Sequence, residues 1–118
     1  MSVRSLSRFT GDLKAFATVF AALGDQTRLS LVAKLSAGQP RSITQLTVGS
    51  RLTRQAVTKH LRVLEHAGIV HGMRNGRETQ FALDAMPFAD LREYLEFVSN
   101  QWDQALTRLK DFVEPREP

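Results

Sequence analysis

The residues best equipped to do chemistry lie in one run, LTRQAVTKHLRVLEHAG (residues 52–68). There Arg54, Gln55, Thr58, Lys59 and Arg62 supply hydrogen-bond donors, and Glu65 is the only carboxylate. Residues 51–77 hold six Lys or Arg against one Glu, whereas residues 84–118 hold eight Asp or Glu against four Lys or Arg. A basic stripe confined to one segment is the footprint of a polyanionic partner, with the acidic segment facing away from it. A solvated helix face is the plainer alternative that clustered charge alone leaves open.

Other chemistries find little to work with. Cysteine is absent, which removes disulfides, thiolate metal sites and a cysteine nucleophile together. There is no glycine-rich phosphate loop, no G-x-S-x-G and no H-E-x-x-H, so an enzyme is not expected. No apolar run approaches the roughly 18 residues of a membrane span, and MSVRSLSRFTGDL lacks the apolar centre of a signal peptide. A cytoplasmic protein without a membrane partner is expected. At 118 residues with 42% apolar content, the chain is one domain's worth with a modest core.

Elements must hold the basic run in place, and their signals are local. Leu6, Phe9, Leu13, Phe16, Phe20 and Leu23 recur at steps of three and four, predicting a helix that is firmest over residues 12–23. Gly24 suits its end and Asp25 the start of a second helix, with Leu29, Val32 and Leu35 inward. Ser42 and Gln45 form an S-x-x-Q capping box that opens a short helix to about Val48, with Ile43 and Leu46 toward the core. Thr53 then caps a helix to about His66 that buries Val57, Leu61 and Leu64, and Gly68 follows its end. After it the period changes to two, and Asn75-Gly76 predicts a type I′ hairpin turn within a two-stranded ribbon over residues 69–83. Last, Phe88, Leu91, Leu95, Val98, Trp102, Ala105, Leu109 and Phe112 alternate steps of three and four, a seam at period 3.5 that asks for a partner helix. Packing within one chain is the alternative. Two such stripes exceed what a core this small absorbs, so a homodimer is expected through residues 12–23 and 86–113. Leu13, Phe16, Phe20, Leu91, Leu95, Val98, Trp102 and Leu109 would form its interface.

The order of four helices, a hairpin and a final helix, with the basic helix directly before a basic hairpin, is that of a winged helix-turn-helix, mainly α with a small β-hairpin. FAALGDQTRLSLVAKL, SITQLTVGSRLTRQAVTKHLRVLEHAGIV and RNGRETQFAL resemble, in order and spacing, the corresponding blocks of the ArsR (arsenic-repressor-like) family of dimeric bacterial transcription regulators. The resemblance spans about residues 14–112. It implies double-stranded DNA as partner, a homodimeric repressor on an inverted-repeat operator, and a helix-turn-helix at residues 42–66. The physical reading agrees: with Val57, Leu61 and Leu64 buried, Arg54, Gln55, Thr58, Lys59 and Arg62 face outward. Such a helix sets its N-terminal residues at base edges, so Thr53 starts it, Arg54, Gln55 and Thr58 are candidates for base readout, and Lys59 and Arg62 for phosphate contact. At the hairpin tip Arg74, Asn75, Gly76 and Arg77 are expected along the backbone or in a minor groove; a solubilising turn is the alternative. Ser42 is a weak candidate for backbone contact. Arg28 matches an Arg typical of the family, for backbone contact or for bracing its own helix.

Relatives of this kind often sense metals through thiolates ahead of the recognition helix or through Asp, His and Glu on the last helix. Here RSITQLT offers Ser42 and Thr44, and hydroxyls are poor ligands for soft ions. No metal or other cofactor is expected. His60 is read as a packed, hydrogen-bonded residue and His66 as favourable at a helix C-terminus. His66 and His71 together, without nearby carboxylates, make a weak metal site at most. Tyr94 and Trp102 leave open an organic ligand at the dimer interface, although a core aromatic is the commoner explanation. The residues name no inducer. From another functional class, a winged-helix module that binds protein remains the competing reading.

Overall fold

A computed structural model describes residues 9–114; Leu6, the first residue of the N-terminal stripe, lies outside them. A short 3-10 turn, Thr10–Asp12, leads into α1 (Leu13–Leu23). Helix α2 (Gln26–Leu35) begins where the Asp25 carboxylate accepts the Arg28 N–H at 3.0 Å. Strand β1 (Arg41–Ser42) runs directly into α3 (Ile43–Thr47), whose capping box is complete: the Gln45 N–H donates to Ser42 Oγ at 3.1 Å and the Ser42 N–H to Gln45 Oε1 at 2.8 Å. Helix α4 (Arg54–His66) starts at Thr53, whose Oγ1 accepts the Ala56 N–H at 3.1 Å. Gly68, at φ 78°, turns the chain from its end into β2 (Val70–Asn75), a conformation that glycine adopts without a Cβ penalty. Strand β3 (Glu78–Leu83) and the 28-residue helix α5 (Met86–Val113) are the last elements among the described residues.

The core gathers around α4. Val57, Leu61 and Leu64 are buried against Leu31, Leu35, Leu46, Ile69, Val70 and Phe81. Removing such side chains from water supplies about 1.5–3 kcal/mol each, so the face of α4 opposite its donors is what holds the helix in place.

Four expectations need correction. In α2 the inward residues are Leu31 and Leu35, with Val32 partly buried, while Leu29 is 52% exposed. Leu31 and Leu35 share a face at i,i+4, and Leu29 lies about 200° around the helix from Leu31. The ribbon is one part of a three-stranded antiparallel sheet of order β1-β3-β2, with Arg41 opposite Phe81 and Ser42 opposite Gln80. Two residues are too few to show a period, so β1 left no signal. The hairpin turn also sits one residue later than expected. Asn75 pairs with Glu78, leaving Gly76-Arg77 as the loop, and only Gly76 has positive φ, 65°. Glycine at the first central position of a two-residue loop is the signature of a type II′ turn, not I′.

The last correction concerns the two apolar stripes. Phe16 and Leu91, both assigned to the interface between copies, are buried within this chain. Phe9, Phe16, Tyr94 and Phe97 form an aromatic cluster between α1 and α5, with ring centroids 5.2 Å apart for Phe16–Tyr94 and Phe9–Phe97. Beyond that cluster α5 continues outward. The radius of gyration is 19.7 Å, against about 13.5 Å for a compact chain of this length, and the longest extent is 73 Å.

Candidate nucleic-acid interface

On the outer face of α4, Arg54, Gln55, Lys59 and Arg62 are exposed and Thr58 is half-buried. Thr58 Oγ1 donates to the Arg54 carbonyl at 2.7 Å, and its oxygen remains available as an acceptor. At the wing tip Arg74, Asn75, Gly76 and Arg77 are all exposed. The two groups converge: Arg54 and Arg77 border one cleft of about 210 Å³, together with Thr44, Glu78 and Thr79. The fold thus brings the start of α4 and the tip of the wing to one side of the molecule.

Two weaker candidates are committed elsewhere. Ser42 is 4% exposed and its hydroxyl serves the capping box, so little of it is left for a phosphate. The Arg28 guanidinium donates to the Ala22 carbonyl and lies 3.2 Å from His60 Nδ1, bracing α1 and α2 against α4. His60 is also 3.9 Å from Asp25, whose carboxyl lies below its usual range chiefly because it accepts the Arg28 N–H. This is the packed, hydrogen-bonded setting expected for His60.

Glu65 has a role that its sequence position did not disclose. Its Oε1 accepts from Arg62 Nη1 at 2.8 Å, its Oε2 accepts the Gly72 N–H at 3.2 Å, and the Arg62 guanidinium lies 5.8 Å from the Phe81 ring centre. The single acid of the basic helix therefore clamps the wing to it. Only the i,i+3 spacing of Arg62 and Glu65 hinted at this pairing. Arg62 is held in an ion pair, whereas Lys59 has no ion partner among the described residues.

The clamp has two measurable consequences. A Cβ on residue 72 would lie 2.9 Å from Glu65 Oε2 and 3.3 Å from Phe81 Cε1. Gly72→Ala should therefore push the carboxylate off the Gly72 N–H and lower stability by about 1 kcal/mol in denaturant melts; an unchanged midpoint would show that the clamp contributes nothing. The Glu65 carboxyl is held below its ordinary 4.5, first by the hydrogen bond from Arg62 and then by that from Gly72. A depressed folded value means that its stabilisation is complete above the unfolded value and is lost as pH falls through the folded one. In melts from about pH 6 to about pH 3, Glu65→Gln should lose less stability than the wild type. Parallel curves would rule out the linkage.

Among the described residues His71, unlike His66, meets a carboxylate after all. His71 Nε2 is 2.7 Å from Asp84 Oδ2, and Asp84 Oδ1 accepts the Met86 N–H. These bonds, the one from Met86 foremost, hold the Asp84 carboxyl below its usual range. Among the described residues no group of three or more His, Cys, Asp or Glu is arranged to hold a metal ion. Nor is any helix there long and apolar enough to cross a membrane.

A helix-turn-helix whose second helix and adjoining wing present one basic face defines a winged helix-turn-helix DNA-binding protein. Comparison with known proteins agrees: a family model described as a helix-turn-helix domain matches residues 23–72. The uncharacterized HTH-type transcriptional regulator YuzN of Bacillus subtilis is 35% identical over 79 residues, covering 62% of this chain and 86% of that protein. The HTH-type transcriptional regulator Rv2034 of Mycobacterium tuberculosis is 32% identical over 93 residues, covering 79% and 83%. The structure of an ArsR-like transcriptional regulator from Rhodococcus sp. RHA1 superposes with a TM-score of 0.76 at 30% identity, covering 91% of this chain and all of that one. A winged helix-turn-helix domain from Mycobacterium bovis, described as homodimeric, shares the fold at 20% identity with a TM-score of 0.61, covering 89% and 93%. The chain belongs to the ArsR-like family of helix-turn-helix transcriptional regulators, DNA-binding proteins rather than enzymes, and with no cysteine it falls in the subgroup without metal-binding cysteines.

Proposed function

We propose that residues 1–118 act as one winged helix-turn-helix unit, a homodimeric repressor that binds an inverted-repeat operator in the bacterial cytoplasm and does not sense metal through thiolates. The observation that carries this is the pairing of two surfaces on one chain. The donors of α4 and the wing face outward together, while Phe20, Leu95, Trp102, Leu109 and Phe112 form an apolar surface that α1 and α5 leave uncovered. A monomer gains nothing from exposing that much apolar area, and a second copy covers it. Leu13, Phe20, Leu95, Val98, Trp102 and Leu109 meet their counterparts, and Phe16 and Leu91 support them from within. That a Mycobacterium bovis domain of the same fold is described as homodimeric supports this reading.

In the dimer, the start of each α4 enters a major groove, with half-sites about one helical turn or 34 Å apart. Arg54, Gln55 and Thr58 read base edges, and Lys59, Arg62, Arg74 and Arg77 neutralise phosphates. Repression follows from occupancy, because the operator is denied to other proteins. A selection of genomic fragments with the purified protein, followed by fluorescence anisotropy, tests the reading. The recovered duplex should be bound at least about a thousandfold more tightly than random competitor, with log K falling linearly in log salt. Equal affinity for random duplex, or salt-independent binding, would overturn it in favour of a protein-interaction module.

A further inference from the structure

A cavity of about 470 Å³ opens at the end of α4 distant from the bases, and the DNA-binding reading makes no use of it. Phe16 and Val19 of α1, both buried, line it together with Pro87 of α5. Its polar groups are Asp12, Thr18, His66, His71, Asp84 and Asp90, with neither Lys nor Arg at its border among the described residues. An acidic cavity is therefore set into a chain of net charge +4. His71 is already bonded to Asp84, and Thr18 Oγ1 donates to the Lys14 carbonyl at 3.1 Å. The carboxylates of Asp12 and Asp90, one at the start of α1 and one on the first turns of α5, make no hydrogen bond or ion pair among the described residues.

Apolar walls with convergent polar groups, at this volume, are the usual makings of a small-molecule site. Three carboxylates exclude anions, and the described side chains present no cluster fit for a metal. An aromatic body with a protonated amine satisfies both parts: the ring rests on Phe16 and Val19, and the ammonium lies between Asp12 and Asp90. We infer that this cavity binds a small amphipathic organic cation, an aromatic or aliphatic amine, and that its occupancy alters the affinity of the protein for DNA.

The second half of that inference rests on the DNA-binding reading above; the first does not. His66, Ala67 and Gly68 at the end of α4 form one wall, and the beginnings of α1 and α5 form the others. A ligand there links the recognition helix to the two helices proposed to form the dimer. Arg54 stands about 18 Å away along the helix axis, so the ligand acts by shifting the angle of α4 and not by touching the operator.

Three molecules of one size and different charge test the site by calorimetry without DNA: tryptamine, neutral tryptophol and anionic indole-3-propionate. Tryptamine should bind at least tenfold more tightly than tryptophol, and indole-3-propionate most weakly. The double variant Asp12→Asn, Asp90→Asn, whose melting should match the wild type, should lose at least tenfold in tryptamine affinity while binding DNA as the wild type does. No binding of tryptamine at millimolar concentration, equal binding of all three, or an undiminished double variant would each overturn the site. Saturating tryptamine should then change the affinity for DNA at least about fivefold in the wild type and not in the double variant. An unchanged affinity would overturn the coupling while leaving both the site and the DNA-binding reading standing.

Discussion

Leu95→Glu is expected to turn the dimer into monomers and to weaken operator binding by at least about a hundredfold. Leu95 is 50% exposed and shares with Phe20, Leu23, Phe88 and Leu91 an open apolar groove of about 480 Å³ between α1 and α5. Two-fold symmetry doubles the substitution, so each interface would bury two carboxylates, and the cation that borders the groove, Arg92, is already paired with Glu96. The hundredfold follows from linkage: once one half-site is held, the second is bound at a high effective concentration, and a monomer forfeits that gain. Position decides which variant is informative. Leu91 is 4% exposed, and a charge there would break the core of the monomer itself, whereas at Leu95 each separate chain keeps its fold. Sedimentation should give the monomer mass with an unaltered circular dichroism spectrum. A variant that still sediments as a dimer, with operator affinity intact, would move the interface elsewhere.

What separates Leu95 from Leu91 is their burial in the fold, and the reason the stripe alone did not show it is physical. Periodicity reports that a stripe is apolar, not what covers it. Phe16, Phe20, Leu91 and Leu95 read as equivalent members of two seams, yet the chain itself covers Phe16 and Leu91. Over Phe16 the covering is done by Phe9 and by Tyr94, which lies off the period of the seam. Features fixed within a few residues were legible. The caps at Asp25, Ser42 and Thr53 are side chains that accept backbone donors three residues on, and each marks its helix start correctly. Likewise the alternation in β2 and β3 predicted their pairing, while the turn shifted by one residue because Gly76, the one residue of the hairpin loop at positive φ, set it.

The site divides along the same line. An outward, donor-rich face on α4 follows from the burial of Val57, Leu61 and Leu64, which the sequence carries openly. The clamp from Glu65 to Gly72 joins residues seven apart through a turn, and the bonds from Arg28 to His60 span 32 positions. Such contacts depend on how elements dock, so no local pattern announces them. They also change what a charge count means: of the cations on α4, Arg62 is ion-paired and over a ring, while Arg54 and Lys59 have no ion partner among the described residues.

This difference bears on which residues read sequence. Gln55→Ala should cost about 1–3 kcal/mol of operator affinity and flatten the preference at one base pair in each half-site, since Gln offers a donor and an acceptor that match adenine in the major groove. Arg77→Ala should lower affinity on all sequences alike and reduce the salt slope by about one per protomer, as loss of a phosphate contact does. Arg54 is the discriminating case. It begins α4, the end proposed to meet base edges, yet it shares the cleft with Arg77, Thr44 and Thr79, where a backbone oxygen could also be held. If Arg54 pairs with guanine, Arg54→Ala loses about as much as Gln55→Ala and only on the cognate base pair, with a small change in salt slope. A uniform loss with the slope reduced by about one would instead assign it to the phosphate beside Arg77 and leave Gln55 and Thr58 as the reading residues. Measured as binding isotherms on a set of single-base operator variants at several salt concentrations, the two outcomes do not overlap, because base pairing and counterion release respond to different variables.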